Sequence, residues 1–265
     1  MPRAGSGTFQ QHEQTPPTWS LCAPMKVAAC QLPEIRKDFR AALALAHEHA
    51  RVAAGAGARL VCFPECFLQG YDSRPAYVAG AAIDLAGAAF AQVLKCFETL
   101  EPVIVVGVIE RSGDSLYNSA VAIKLGKVIG RYRKMHLLPG ERSVFEPGTE
   151  PTVFDIDGTT VGINICYDLN FGESIERCVR AGASVLVCPC SNMMQRAMAE
   201  DWKPRHNEIR SRQAKDHKVW IVSADIVGER DDRVSYGPTA VIDPTGVVIA
   251  QVPLLSTGMV VAEIN

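Results

Sequence analysis

The stretch TVFDIDGTTVGINICYDLNFGESIERCVRAGASVLVCP, residues 152–189, holds both kinds of chain connection that decide the fold. Its first half reads as two apolar strands meeting at Asp157-Gly158, a dipeptide type that favours a tight antiparallel hairpin. Its second half, GESIERCVRAGA followed by SVLVCP, reads as a helix feeding a strand. Hairpins and helix–strand units in one chain imply a mixed sheet, not a purely parallel one.

The same alternation extends in both directions. Upstream, KVAACQL reads as a strand and DFRAALALAHEHARVAAGAG as an Ala-rich amphipathic helix closed by glycines. ARLVCFPE is a second short strand, followed by an irregular loop through Gly70 and Pro75. A helical stretch from about Leu85 to Leu100 leads into PVIVVGVIE, a buried-strand pattern, and LYNSAVAIKLGKVIGRYRK is a hairpin turning at Gly126. Downstream, helix PRHNEIRSRQAKDHK feeds strand VWIVSAD, GPTAVIDPTGVVIAQV is another hairpin, and MVVAEIN closes the chain. Two mixed sheets back to back, with helices outside, accommodate this strand count. Neither an internal repeat nor an interdomain linker is visible. Residues 1–24, rich in Gly, Pro, Gln and Thr and without a signal-peptide core, read as a flexible extension before one domain over 25–265.

Bulk properties exclude several classes. Of the 265 residues, 48% are hydrophobic and 21% charged, a globular balance. The formal net charge is −2 and no dense Lys/Arg tract occurs, which argues against nucleic acid or an anionic membrane as partner. No apolar stretch approaches the roughly 20 residues that span a bilayer. Nine cysteines are an odd number in a chain too large to need disulfide staples, and a reducing cytoplasm suits them. The Cys62/Cys66 and Cys188/Cys190 pairs have no His companion, so no metal is expected.

Three apolar runs end abruptly in a polar, potentially reactive residue: LVCFPE at Glu65, VIGRYRK at Lys134 and VGINIC at Cys166. Strand ends hold side chains rigidly while opening them to a pocket. Each residue alone has an ordinary explanation: a loop carboxylate, a solvated hairpin end, a core cysteine. The combination does not. FPECFLQGYD, GRYRKMHLLPGERSVFEPG and VGINICYDLNFGES resemble, in order and approximate spacing, the signature segments of the nitrilase superfamily of carbon–nitrogen hydrolases. The resemblance runs from about Lys26 to Asn265 and includes MKVAACQL, YNSAVAI, AGASVLVCP and YGPTAVIDPTG.

That resemblance implies an α/β fold of a particular kind, a four-layer αββα sandwich of two mixed β-sheets flanked by helices, which commonly pairs into dimers. It implies catalytic roles as well: Cys166 as nucleophile, Glu65 as the base that takes and returns its proton, and Lys134 with the Tyr167 backbone N–H as oxyanion stabilisers. Glu141 is the candidate second carboxylate, against the alternative of a surface loop charge. His136, two residues past Lys134, is expected to hydrogen-bond structurally. No cofactor is expected, and the partner is a small amide or carbamoyl substrate. Tyr167-Asp168 after the cysteine looks like the amidase and carbamoylase branches, where nitrilases proper have Trp-Glu; a nitrilase and a catalytically silent binding protein of the same fold remain the alternatives. Amidase-type members often continue Asp-x-Arg-Phe-Pro-Glu, and here Asn170 and Gly172 replace Arg and Pro. Tyr71, Tyr167, Asn192 and the SNMMQRAMAEDW segment are expected to form the pocket wall, with Met193, Met194 and Trp202 either lining it or packing beneath the segment; a substrate carboxylate would pair with Arg196, Arg205 or another of the arginines, between which the sequence does not choose.

Overall fold

Strand β1 (Met25–Pro33) is buried on both faces, and its side chains divide by alternation. Val27 and Ala29 point into one apolar cluster, Ala28, Cys30 and Leu32 into another. The second cluster is covered by α1 (Phe39–Gly55), whose Ala42, Ala46, Ala50 and Ala53 form one helical stripe small enough to lie close to the strand. Asp38 caps this helix through Ala41 N at 2.9 Å. The computed structural model describes residues 24–265; the extension expected over 1–24 lies, apart from Pro24, outside the described residues.

The chain continues through β2 (Leu60–Cys62), α2 (Pro75–Ala81), β3 (Ile83–Asp84), α3 (Ala88–Cys96), β4 (Val103–Ser112), β5 (Ser115–Lys124) and β6 (Lys127–Arg133). It then forms β7 (Val153–Ile156), β8 (Thr159–Ile163), α4 (Gly172–Arg180), β9 (Val185–Pro189), β10 (Met194–Gln195), α5 (Arg196–Trp202) and α6 (Arg205–His217). Strands β11 (Trp220–Arg230), β12 (Arg233–Ser235), β13 (Ala240–Ile242), β14 (Val248–Gln251) and β15 (Gly258–Ile264) complete it.

These strands form one large mixed sheet in the order β6-β5-β4-β2-β1-β11-β9-β8-β7, with the remaining strands attached beside that path. Instead of two separate sheets, hydrogen bonding joins the halves through parallel pairing of Gln31–Pro33 with Asp225–Val227. A central cluster still packs the halves against each other, with Val105 and Tyr132 from one and Val161 and Val222 from the other. A third cluster packs the far face of β9 and β11 beneath α4 and α6 through Ile175, Leu186, Ala214 and Ile221.

The hairpins turn where the sequence places them: Leu125-Gly126 and Asp157-Gly158 all take positive φ. Two expectations need correction. Pro75 does not lie in irregular loop but starts α2, where its missing N–H and fixed φ suit the first helical turn. The helix expected from about Leu85 to Leu100 is only Ala88–Cys96, because the chain turns at Asp84 and Gly87 after β3. Among the described residues no helix is long and apolar enough to cross a membrane.

Candidate active site

Beyond β2 the chain crosses the end of the sheet as Phe63-Pro64-Glu65. Phe63 N donates to Val105 O at 2.8 Å and Glu65 N to Cys190 O at 3.1 Å, so Glu65 is pinned to both halves of the fold. This crossing needs a glycine beneath it. A Cβ on Gly107 of β4 would collide with the Cys66 amide nitrogen and the Pro64 carbonyl oxygen.

Lys134 follows β6 directly, its N–H held by Asn118 O at 2.8 Å. Its Nζ donates to Glu65 Oε1 at 2.7 Å and to Glu141 Oε1 at 2.9 Å, and all three side chains are buried. Glu141 is therefore no surface loop charge; its other oxygen accepts the Leu138 N–H at 2.7 Å. Asn118 completes the cluster by donating to Glu65 at 2.7 Å and to Glu141 at 3.1 Å. Burial, helped by Glu141, pushes the Glu65 carboxyl up to about 6 against the pull of Lys134 and Asn118. Desolvation, the largest single influence on Lys134, favours its neutral form, but the two carboxylates together outweigh it and hold its pKa well above the ordinary lysine value.

Cys166 ends the extended run of β8 and begins a short 3₁₀ turn, Cys166–Asn170. Its φ of 44° is a conformation that side-chain-bearing residues seldom adopt. Asp168 holds this bend. Its carboxylate accepts from Ile165 N at 2.9 Å, His136 N at 2.8 Å, His136 Nδ1 at 3.0 Å and Tyr132 Oη at 2.8 Å. The bend carrying the cysteine is thereby tied to the segment carrying Lys134. His136 has the structural place expected of it, its ring stacked on Phe171 with centroids 4.0 Å apart.

A cavity of about 410 Å³ opens over these ends. Glu65, Tyr71, Cys166, Tyr167 and Asn192 all line it, as do Met193, Met194 and Trp202 from the segment read as a loop, which folds into β10 and α5. Asn170 lies on the same wall and donates to Tyr167 O at 3.2 Å. Asn192 is fixed by Asp225, which accepts both its backbone N–H at 3.0 Å and its side-chain amide. The Cys166 Sγ lies 3.8 Å from Asn192 Oδ1. The neighbouring Cys190 thiol, then burial and the Glu65 charge, hold Cys166 in its protonated form well above the usual thiol range, and Lys134 offsets this only in part.

Arg196 and Arg205 do not line the cavity. Arg196 pairs with Glu229 at 2.7 Å on the surface, and the Arg205 guanidinium lies 5.9 Å from the Trp202 ring centre. The arginines on the cavity wall are Arg210 and Arg233. Arg210 is buried and paired with Asp225 at 3.4 Å. Arg233 contacts Met193 O at 3.4 Å. His206, also on the wall, is held down to about 3 by burial and by Arg210, so it is neutral near pH 7.

Sequence reasoning passed over Asn118, Arg210 and Asp225, weighed Cys190 only as a metal ligand, and saw Asp168 only as a branch marker. A buried Asn or Asp inside an apolar run is the one signal that pointed to Asn118 and Asp225.

The carbon–nitrogen hydrolase family model matches residues 26–265. A nitrilase of Pyrococcus abyssi is 34% identical over 212 residues, covering 79% of this chain and 78% of its own. An (R)-stereoselective amidase of a Pseudomonas species is 30% identical over 191 residues, covering 72% of this chain and 67% of its own. The omega-amidase of Homo sapiens is 31% identical over 216 residues, with 76% and 75% covered. In fold, the chain is similar to the crystal structure of an amidase from Nesterenkonia sp., with a TM-score of 0.81 at 22% identity, covering 91% of this chain and 90% of that one.

Proposed function

We propose a substrate class and a mechanism for a chain that belongs to the carbon–nitrogen hydrolase family and is an amidase-type enzyme of it. It hydrolyses a small amide or N-carbamoyl compound through a thioester on Cys166, releasing ammonia or an amine. The observation carrying this reading is that Glu65 and Cys166 line one cavity while the Lys134 ammonium binds Glu65 at 2.7 Å.

Because the neighbours of Cys166 favour its thiol, deprotonation accompanies attack. The sulfur bonds to the carbonyl carbon as its proton passes to Glu65, whose pKa of about 6 leaves it unprotonated near pH 7. The developing oxyanion is stabilised by Lys134 and the Tyr167 N–H. Such a donor contributes about 10²–10³ in rate. Glu65 returns the proton to the leaving nitrogen, and the C–N bond breaks. Glu65 then draws a proton from water, which attacks the thioester carbonyl and frees the acid and the Cys166 thiol. Glu141 keeps Lys134 charged and in place, and no cofactor enters any step. Arg233 on the wall is the group suited to a carboxylate on the substrate, in the role earlier sought for Arg196 or Arg205.

The reading includes the αββα arrangement, supported by the three apolar clusters. It also includes a homodimer, supported by the exposed apolar side chains Val247, Val248 and Ile249, which light scattering would test. Catalysis is tested by offering a panel of amides, N-carbamoyl compounds and nitriles and measuring ammonia. Release from amides that vanishes in Cys166→Ala is expected; equal release by both proteins removes the proposal. Nitrile turnover with no free amide formed first would favour the nitrilase alternative.

A further inference from the structure

The nucleophile has a thiol neighbour that the proposed reaction does not use. Strands β8 and β9 pair in parallel, with Val161, Gly162 and Ile163 abreast of Val185, Leu186 and Val187. The ladder continues one step further, Asn164 N donating to Val187 O at 3.1 Å. Past this bond the strands end, and Cys166, two residues beyond Asn164, and Cys190, three beyond Val187, both follow from the same ends of the paired strands. Both cysteines line the same cavity and pack in the same apolar cluster. The Cys190 thiol is also the foremost influence on Cys166 protonation.

Cys190 has a chemical setting of its own. It lies 3.6 Å from Cys188 Sγ, and the Arg210 Nη2 donates to its sulfur at 3.2 Å. A buried guanidinium on a thiol supports the negative charge that the sulfur acquires as it reacts. No role in carbon–nitrogen cleavage requires this.

We propose that Cys166 and Cys190 form an oxidative modification site, in which hydroperoxide entering the cavity converts the pair to a disulfide. In the first step the Cys166 proton passes to Glu65 and the sulfur attacks a peroxide oxygen. An S–O bond forms and the O–O bond breaks, leaving a sulfenic acid and, from hydrogen peroxide, water. Sulfur is oxidised by two electrons and the peroxide is reduced. In the second step the Cys190 sulfur attacks the Cys166 sulfur. The S–S bond forms, the S–O bond breaks, and hydroxide leaves with the Cys190 proton as water. The disulfide withholds the nucleophile from hydrolysis yet remains reducible, whereas a sulfenic acid without a resolving thiol proceeds to sulfinic acid.

The test reads mass and needs no substrate, so it stands apart from the test of amide hydrolysis. The reduced protein is treated with hydrogen peroxide, its remaining thiols are blocked, and it is digested with trypsin without reductant. Cleavage at Arg177 and Arg180 sends the two cysteines to different peptides. The expected product is those peptides joined with loss of two hydrogens, separated by dithiothreitol, and formed equally in Cys188→Ala. Cys190→Ser and Cys190→Ala should lose the link and accumulate Cys166 sulfinic acid that dithiothreitol does not reverse. Sulfinic acid without a link in the unaltered protein, or a link that survives Cys190→Ser, would overturn the proposal. The unaltered protein and Cys188→Ala decide it even where a Cys190 variant folds poorly.

Discussion

Asn118 donates its side-chain amide to Glu65 Oε1 at 2.7 Å, and Lys134 Nζ reaches the same oxygen at the same distance. One carboxylate oxygen thus accepts from a neutral donor on β5 and from a cation at the end of β6. Both contacts lower the Glu65 pKa, and burial, the larger influence, raises it.

The pH profile follows from that balance. A base works unprotonated, so kcat/KM should rise with pH through about 6 and level off above it. Asn118→Leu removes one lowering contact and should move this acid limb to higher pH. An unmoved limb in the variant would show that the amide does not tune the base.

Removing the base itself should be costly. Glu65→Gln is expected to lower kcat by about 10²–10⁴, the usual worth of a positioned proton-transfer group. Single-turnover kinetics would locate the loss in thioester formation, in its hydrolysis, or in both.

Asp168 should matter to stability as much as to rate. Asp168→Asn keeps the size but replaces one acceptor oxygen with a donor, facing N–H and O–H groups that need acceptors. A loss of about 1–3 kcal/mol is expected in urea denaturation. A variant as stable as the parent would mean that the bend at Cys166 is held by other contacts.

Gly107→Ala places a methyl against the backbone of Pro64 and Cys66. Overpacking of this kind costs about 1–3 kcal/mol. Because the displaced segment carries Glu65, activity at temperatures well below unfolding should fall too.

Arg233→Met tests substrate charge. For amides bearing a carboxylate, kcat/KM should fall about tenfold or more, the effect of losing a charge-assisted hydrogen bond of about 1.5–3 kcal/mol. Neutral amides of the same length should change little. Equal losses on both would remove Arg233 from substrate recognition.

Much of this was legible in the sequence for a definite reason. Hairpin turns at Gly126 and Asp157-Gly158 are local chemistry, and strand and helix periodicity is local too. Glu65, Lys134 and Cys166 each end a strand-like run, and the resemblance of the three segments around them to those of the nitrilase superfamily set them apart. Short elements were not legible: α2 and β3 lie where few residues set any period, and α5 follows a stretch whose methionines suit loop or helix equally.

The sequence by itself determined the order of elements, the hairpin turns and the three reactive residue types at strand ends, since these depend on neighbours along the chain. The tertiary structure alone decided what each reactive group meets. Residues 65, 118, 134 and 141 share hydrogen bonds, Asp168 ties two distant segments, and Cys190 lines the same cavity as Cys166. A pKa depends on burial and on charges a few ångströms away. Those distances come from strand register and the packing of the two halves of the sheet, which no local pattern encodes.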